Sequence, residues 1–216
     1  LPGDLFAVRA AAAVAEAPGR RYNPLFLFGP DAAATSALLA ALGCELQARY
    51  PERTVAFLAA RDFAAELIEA LERNRVDAWR ERYRRADVFL LDGVDALAET
   101  ERAQEELFHL FEALHRTGAQ LAFTARRRPN ELAGIEERLR TRLESGLVVE
   151  LPPRIETEFT LLEWARPGAN GGAPHEEPLA AGTAPPARVR DDWFASREKI
   201  VWDWPYLADW LVEELE

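Results

Sequence analysis

Five short apolar runs punctuate the first 150 residues: 24–29 (PLFLFG), 54–59 (TVAFLA), 87–92 (DVFLLD), 119–124 (AQLAFT) and 147–151 (LVVEL). Each is nearly continuous rather than alternating, the pattern of strands covered on both faces. Between them apolar positions recur at helical spacing, which predicts helices over about 5–17, 32–49, 61–84, 101–117 and 130–144. Strands alternating with helices predict right-handed crossovers and a doubly wound, mostly parallel α/β sheet. Ligands in such sheets sit at the carboxyl ends of the strands, so the turn after the first strand is where chemistry is expected.

The pattern stops near residue 162. Residues 166–190 are rich in Pro, Gly and Ala and nearly free of large apolar side chains, which predicts a linker or long loop. Residues 191–216 then carry four of the six tryptophans, Trp193, Trp202, Trp204 and Trp210. Pro205 suits the first turn of a helix there, with Leu207, Trp210, Leu211 and Leu215 forming an apolar stripe. That much aromatic surface is expected to dock, either back on the core or on a partner. The organisation read from sequence is thus a core over 1–162, a linker over 163–190 and an acidic, Trp-rich helical tail over 191–216.

Residue counts exclude several chemistries. The single Cys44 allows no intrachain disulfide and no Cys-rich zinc site, and it is expected to be a small core residue. His109 and His115 are six apart on one predicted helix and cannot chelate together, so no metal site is expected. Ser36, Ser145 and Ser196 are the only serines, and none sits in a nucleophile elbow. The only lysine is Lys199, which excludes a G-x-x-x-x-G-K-[ST] phosphate loop anywhere in the chain. The formal net charge is −11, and residues 151–216 contribute most of it, with 13 acidic against 6 basic side chains. Such a balance opposes non-specific binding to nucleic acid. Paired acids such as Glu105–Glu106 and Glu213–Glu214 are expected to be solvated helix faces. No run approaches the roughly 20 apolar residues of a membrane helix, and no signal-peptide pattern opens the chain, so a cytoplasmic protein without a membrane partner is expected. Methionine is absent even at position 1, as expected of a piece of a longer chain.

The stretch 20–42 (RRYNPLFLFGPDAAATSALLAAL), and more strongly 79–153, from WRERYRRADVFLLDGVDALAE through LAFTARRRPNELAGIEERLRTRLESGLVVELPP, resembles the AAA+ core of bacterial replication initiators of the DnaA family. The likeness extends back to about Ala7, roughly 150 residues in all. It implies a P-loop NTPase-like (AAA+) fold, a five-stranded parallel sheet in the order 5-1-4-3-2 flanked by helices. The family's helical lid is not recognisable beyond residues 156–162, and its DNA-binding helix-turn-helix has no counterpart. In both respects the chain resembles the family's short regulatory relatives.

The departures from the family pattern fall on catalytic positions. Its glycine-rich loop ends in Gly-Lys-Thr, whereas the aligned run here is Gly29, Pro30, Asp31, Ala32, Ala33, Ala34, Thr35 and Ser36. Thr35 takes the lysine position, and Ser36 that of the magnesium-binding threonine. Alanines favour helix over glycine by up to about 1 kcal/mol each, and Asp31 is placed to cap that helix. The third strand keeps Asp92, but Gly93 replaces the second acid that polarises water. The family's Ser-Asp-Arg sensor stretch reads Ala125, Arg126, Arg127. No nucleotide cofactor and no catalytic residue are therefore expected.

Arg142 aligns with the family's arginine finger, which acts on a neighbouring subunit's ATP, and Arg138 with the first arginine of the same box. Both also fit as surface arginines paired with Glu136, Glu137 or Glu144. The resulting expectation is a non-catalytic, DnaA-like pseudo-ATPase module that meets protein partners, itself or another AAA+ subunit, and regulates or scaffolds a replication-type assembly. One alternative is a DNA-contacting initiation factor using Arg80, Arg82, Arg84 and Arg85, or Arg126–Arg128, with Trp79 and Tyr83 nearby. Another is weak nucleotide binding through Tyr22, Asn23 and Pro24.

Overall fold

The computed structural model describes residues 3–152. The tail tryptophans and the linker lie outside the described residues. Five parallel strands, β1 (Leu25–Phe28), β2 (Val55–Ala59), β3 (Val88–Asp92), β4 (Gln120–Ala125) and β5 (Leu147–Glu150), form one sheet. Their order is β2-β3-β4-β1-β5, the order that the family resemblance implies. Helices α1 (Gly3–Glu16) and α2 (Ala32–Arg49) cover one face. Helices α3 (Ala60–Glu72), α4 (Val76–Arg84), α5 (Glu101–Thr117) and α6 (Glu137–Leu143) cover the other.

The two coverings explain the continuous apolar runs. On β3, Val88 and Leu90 pack with Leu25, Leu38 and Leu42 beneath α1 and α2, while Phe89 and Leu91 pack with Phe63, Leu107 and Phe123 on the opposite face. A strand buried on both sides has no place for a polar residue until it reaches its end. No helix among the described residues is long and apolar enough to cross a membrane.

Two helices expected as single pieces are interrupted. The 61–84 pattern breaks into α3 and α4 at Asn74, which takes a left-handed conformation (φ 54°) that asparagine tolerates better than most residues. The 130–144 pattern gives a single 3₁₀ turn, Pro129–Glu131, before α6 begins. The cause is Gln104, buried on α5. Its amide donates to the carbonyls of Leu97 and Gly134, each at 2.9 Å, and its oxygen accepts the Glu136 N–H at 2.8 Å. These bonds hold the chain before α6 away from helical geometry.

Candidate functional site

At the carboxyl end of the sheet, β1 passes through Gly29, Pro30 and Asp31 straight into α2. Gly29 is fixed by packing. A Cβ there would stand 2.5 Å from the Leu151 carbonyl oxygen, and the Leu151 N–H donates to the Phe28 carbonyl at 2.7 Å. Asp31 is the N-cap of α2, with extended backbone, and its carboxylate accepts the Ala34 N–H at 3.2 Å. The Asp31 carbonyl accepts the Thr35 N–H at 3.3 Å. Ala32, Ala33 and Ala34 are the first turn of the helix itself, so no loop lies between cap and helix. Thr35 is buried, and its hydroxyl donates to the Ala32 carbonyl at 2.9 Å.

One residue on, Ser36 faces β3. Its hydroxyl lies 2.8 Å from both carboxylate oxygens of Asp92. Thr124, buried near the carboxyl end of β4, also donates to Asp92 and accepts the Gly93 N–H at 2.8 Å. Asp92, Ser36 and Thr124 therefore tie α2, β3 and β4 together. Sequence pattern does not single out Thr124; its only signal is a polar residue near the end of an apolar strand, which burial obliges to find a partner. Gly93 has φ 71° and ψ 52°, with nothing within 4 Å of an added Cβ, so glycine serves its left-handed backbone rather than a shortage of room. Asp95 accepts the Arg126 N–H at 3.3 Å.

The two arginine groups do not share a surface. Arg84 and Arg85 end α4 just before the amino end of β3, whereas Arg126–Arg128 follow the carboxyl end of β4. Most of the first group is engaged: Arg80 with Glu106, Arg82 with Glu66 at 3.3 Å, and Arg85 with Glu81 at 3.2 Å. Trp79 and Tyr83 are buried against Phe63, so neither offers a ring for base stacking. In the second group Arg128 reaches Glu150 at 3.5 Å, while Arg126 and Arg127 are exposed and make no ion pair among the described residues. Glu106 corrects the expectation of a solvated acidic face. It is 2% exposed because α4 crosses α5 and brings Arg80, which bonds it at 2.5 and 2.7 Å, and Arg102 adds a contact at 2.9 Å. The hydrogen bonds from Arg80 hold the Glu106 carboxyl below its ordinary range, against the opposing effect of burial. Cys44 is half-buried rather than fully enclosed, and burial pushes its thiol up to about 12.

Arg142 bonds Glu112 of α5 at 2.6 Å, each side chain 45% exposed. Arg138 pairs with Glu136 at 2.5 Å and lies over the Phe108 ring. Both arginines are on α6, which leads to the amino end of β5, the end of the sheet away from Asp31 and Asp92.

The bacterial DnaA ATPase domain model matches residues 2–150. The chain belongs to the DnaA family. It is 39% identical over 163 residues to the chromosomal replication initiator protein DnaA of Thermus thermophilus, covering 75% of this chain and 37% of that protein. It therefore spans just over a third of the length of that curated relative. Domain III of the Thermotoga maritima replication initiation protein DnaA superposes with a TM-score of 0.69 at 34% identity, over 76% of this chain and 69% of that one. AMPPCP-bound DnaA from Aquifex aeolicus gives 0.67 at 32% identity, over 74% and 50%.

In this DnaA-type domain a cleft of about 520 Å³ opens at the amino ends of β1 and β5, lined by Arg20, Tyr22, Asn23, His115, Ser145 and Leu147. Tyr22, Asn23 and Pro24 thus lie at one end of β1 and the Asp31 turn at the other. Asn23 is occupied in holding β4, donating to the Ala119 carbonyl and accepting the Leu121 N–H, both at 2.8 Å.

Proposed function

We propose that this DnaA-type domain is a pseudo-ATPase, a module that binds no nucleotide and acts through contacts with protein, most directly a neighbouring AAA+ subunit. The observation that carries the reading is Asp31, which caps a helix already begun at Ala32. A phosphate loop presents several N–H groups to one anion from a glycine-rich turn, with a lysine to balance charge. Here the helix fills that turn, an aspartate carboxylate takes the first-turn N–H, and Thr35 is buried where the lysine belongs. A β-phosphate would meet a fixed negative charge.

Ser36 and Asp92 have the chemistry of a magnesium pair, but the turn offers no seat for the phosphates that would share the ion. The Aquifex aeolicus relative is AMPPCP-bound; the residues at the Asp31 turn do not fit such a group. Gly93, Ala125 and Arg126 leave no second acid to polarise water. Arg142 is the element suited to a partner, since a finger acts in trans and its half-exposed pair with Glu112 costs little to release. The DNA-contacting reading has in its favour the exposed Arg84, Arg126 and Arg127 and a 34% identical DnaA bound to single-stranded DNA, against a net charge of −11.

Alone, the chain is expected to release no phosphate from Mg-ATP above background. Mixed with an ATP-hydrolysing DnaA-type subunit, it is expected to raise that subunit's turnover, and Arg142→Ala to remove the increase while shifting stability by no more than about 0.5 kcal/mol. Turnover by the chain alone that Asp92→Asn abolishes would overturn the reading. Equal stimulation by parent and Arg142→Ala returns that arginine to the helix surface.

A further inference from the structure

Three chain segments wall the cleft at the amino ends of β1 and β5, and hydrogen bonds pin them together. The Gly19 N–H donates to Gln120 Oε1 at 2.8 Å, and Gln120 Nε2 donates to the Tyr22 carbonyl at 3.2 Å. Gln120 itself is fully buried. On the other side the Leu147 N–H donates to the Pro24 carbonyl at 3.0 Å. Glycines let the walls meet. A Cβ on Gly19 would collide with the Gly118 carbonyl oxygen, and one on Gly146 with that of Pro24. The cleft is therefore preformed, and its open side is basic. Residues 17–24, 113–119 and 143–147 carry Arg20, Arg21 and Arg116 against Glu144 alone. All three arginines are exposed and make no ion pair among the described residues. His115 adds an imidazole stacked on buried Phe111, the ring planes 11° from parallel. Tyr22 is 42% exposed and holds a left-handed backbone (φ 51°) that a bulky residue seldom takes.

We propose that this cleft receives a short acidic segment of a partner protein, with Arg20 taking a side-chain carboxylate and the Tyr22 ring covering its apolar stem. A guanidinium presents paired N–H donors that match a carboxylate. At about 0.1 M salt, charges beyond roughly 10 Å are screened, so the local balance rather than the net −11 of the chain sets what the cleft attracts. The end of α5 is capped at Gly118. The carbonyls of Leu114 and His115 accept the N–H groups of Ala119 and Gly118 at 3.0 and 3.1 Å, which lessens the negative end of the helix. A Cβ on Gly118 would meet nothing within 4 Å, so a peptide backbone has room to approach there. Nucleic acid fits less well, because it needs successive stacking rings along a basic track and the cleft offers one tyrosine. The docking rests on the reading that the domain acts through protein contacts. Hydrolysis of Mg-ATP by the chain alone would overturn that reading without removing peptide binding at the cleft.

Fluorescence anisotropy of a labelled hexaglutamate peptide, titrated with the full 216-residue chain at about 0.1 M salt, tests it. Saturable binding is expected. Arg20→Glu is expected to weaken it about tenfold or more, and Tyr22→Asn about threefold, since asparagine tolerates the left-handed backbone. Arg61→Glu makes the same charge change on an exposed residue beyond the carboxyl end of β2 and is expected to shift binding by less than about twofold. Absence of saturable binding by the parent overturns the proposal. Equal weakening by Arg20→Glu and Arg61→Glu leaves only general charge attraction and also overturns it. Hexathymidylate bound more tightly than hexaglutamate, and released by Arg20→Glu, assigns the cleft to nucleic acid and overturns it too. Should Arg20→Glu fail to fold, Arg20→Gln decides: weakened binding supports the docking and unchanged binding refutes it.

Discussion

Removing the Glu106 carboxylate by Glu106→Ala is expected to destabilise the domain by about 3 kcal/mol, read as a lower unfolding midpoint. Glu106 is buried between α4 and α5 and takes a bidentate contact from Arg80 and another from Arg102. Truncating it leaves Arg80 only Asp77 and Arg102 only Glu105, both on their own helices, and loosens the link that holds α4 to α5. The effect is expected to depend on pH with a definite sign. The folded-state pKa is lowered, so the stabilisation is full above the unfolded-state value of about 4.3 and is lost as pH falls through the folded-state value. The stability gap between parent and variant should therefore be constant near neutrality and close in acid. A gap of equal size throughout the acid range would remove the carboxylate charge from the account.

Asp92→Ala is expected to cost about 2–3 kcal/mol, and Asp92→Asn about 1 kcal/mol. Alanine leaves the hydroxyls of Ser36 and Thr124 without an acceptor at the junction of α2, β3 and β4. Asparagine keeps one acceptor oxygen and adds donors, so part of the cluster survives. Carboxylates kept for catalysis often weigh on stability, and removing them can raise the melting temperature. A rise for Asp92→Ala would therefore argue that this acid still serves chemistry rather than structure.

The strands were legible because both faces of the sheet are covered, so each strand announces itself as an unbroken apolar run. Their order was not legible from periodicity and came from the likeness to DnaA. The helix interruptions were hidden for physical reasons. Asn74 in a left-handed turn looks like any polar helix residue, and Gln104 bends a segment about 30 residues away in sequence. At the site, the Asp31 cap could be read from a local rule, since an N-cap needs only its own helix. The roles of Thr124 and Gly29 required knowing which strands are neighbours. The arginines mark the same boundary. Helical spacing suggested partners for both α6 arginines, but Arg138 pairs with Glu136, two residues back at the cap, Arg142 with Glu112 and Arg80 with Glu106 across helix–helix contacts.

The central claim, that the turn after β1 is closed to phosphate by Asp31 and the first turn of α2, is most directly tested by calorimetric titration of the chain with Mg-ATP and Mg-ADP. No binding heat is expected into the millimolar range for either nucleotide. A dissociation constant in the micromolar range, equivalent to about 8 kcal/mol of binding free energy, would contradict it.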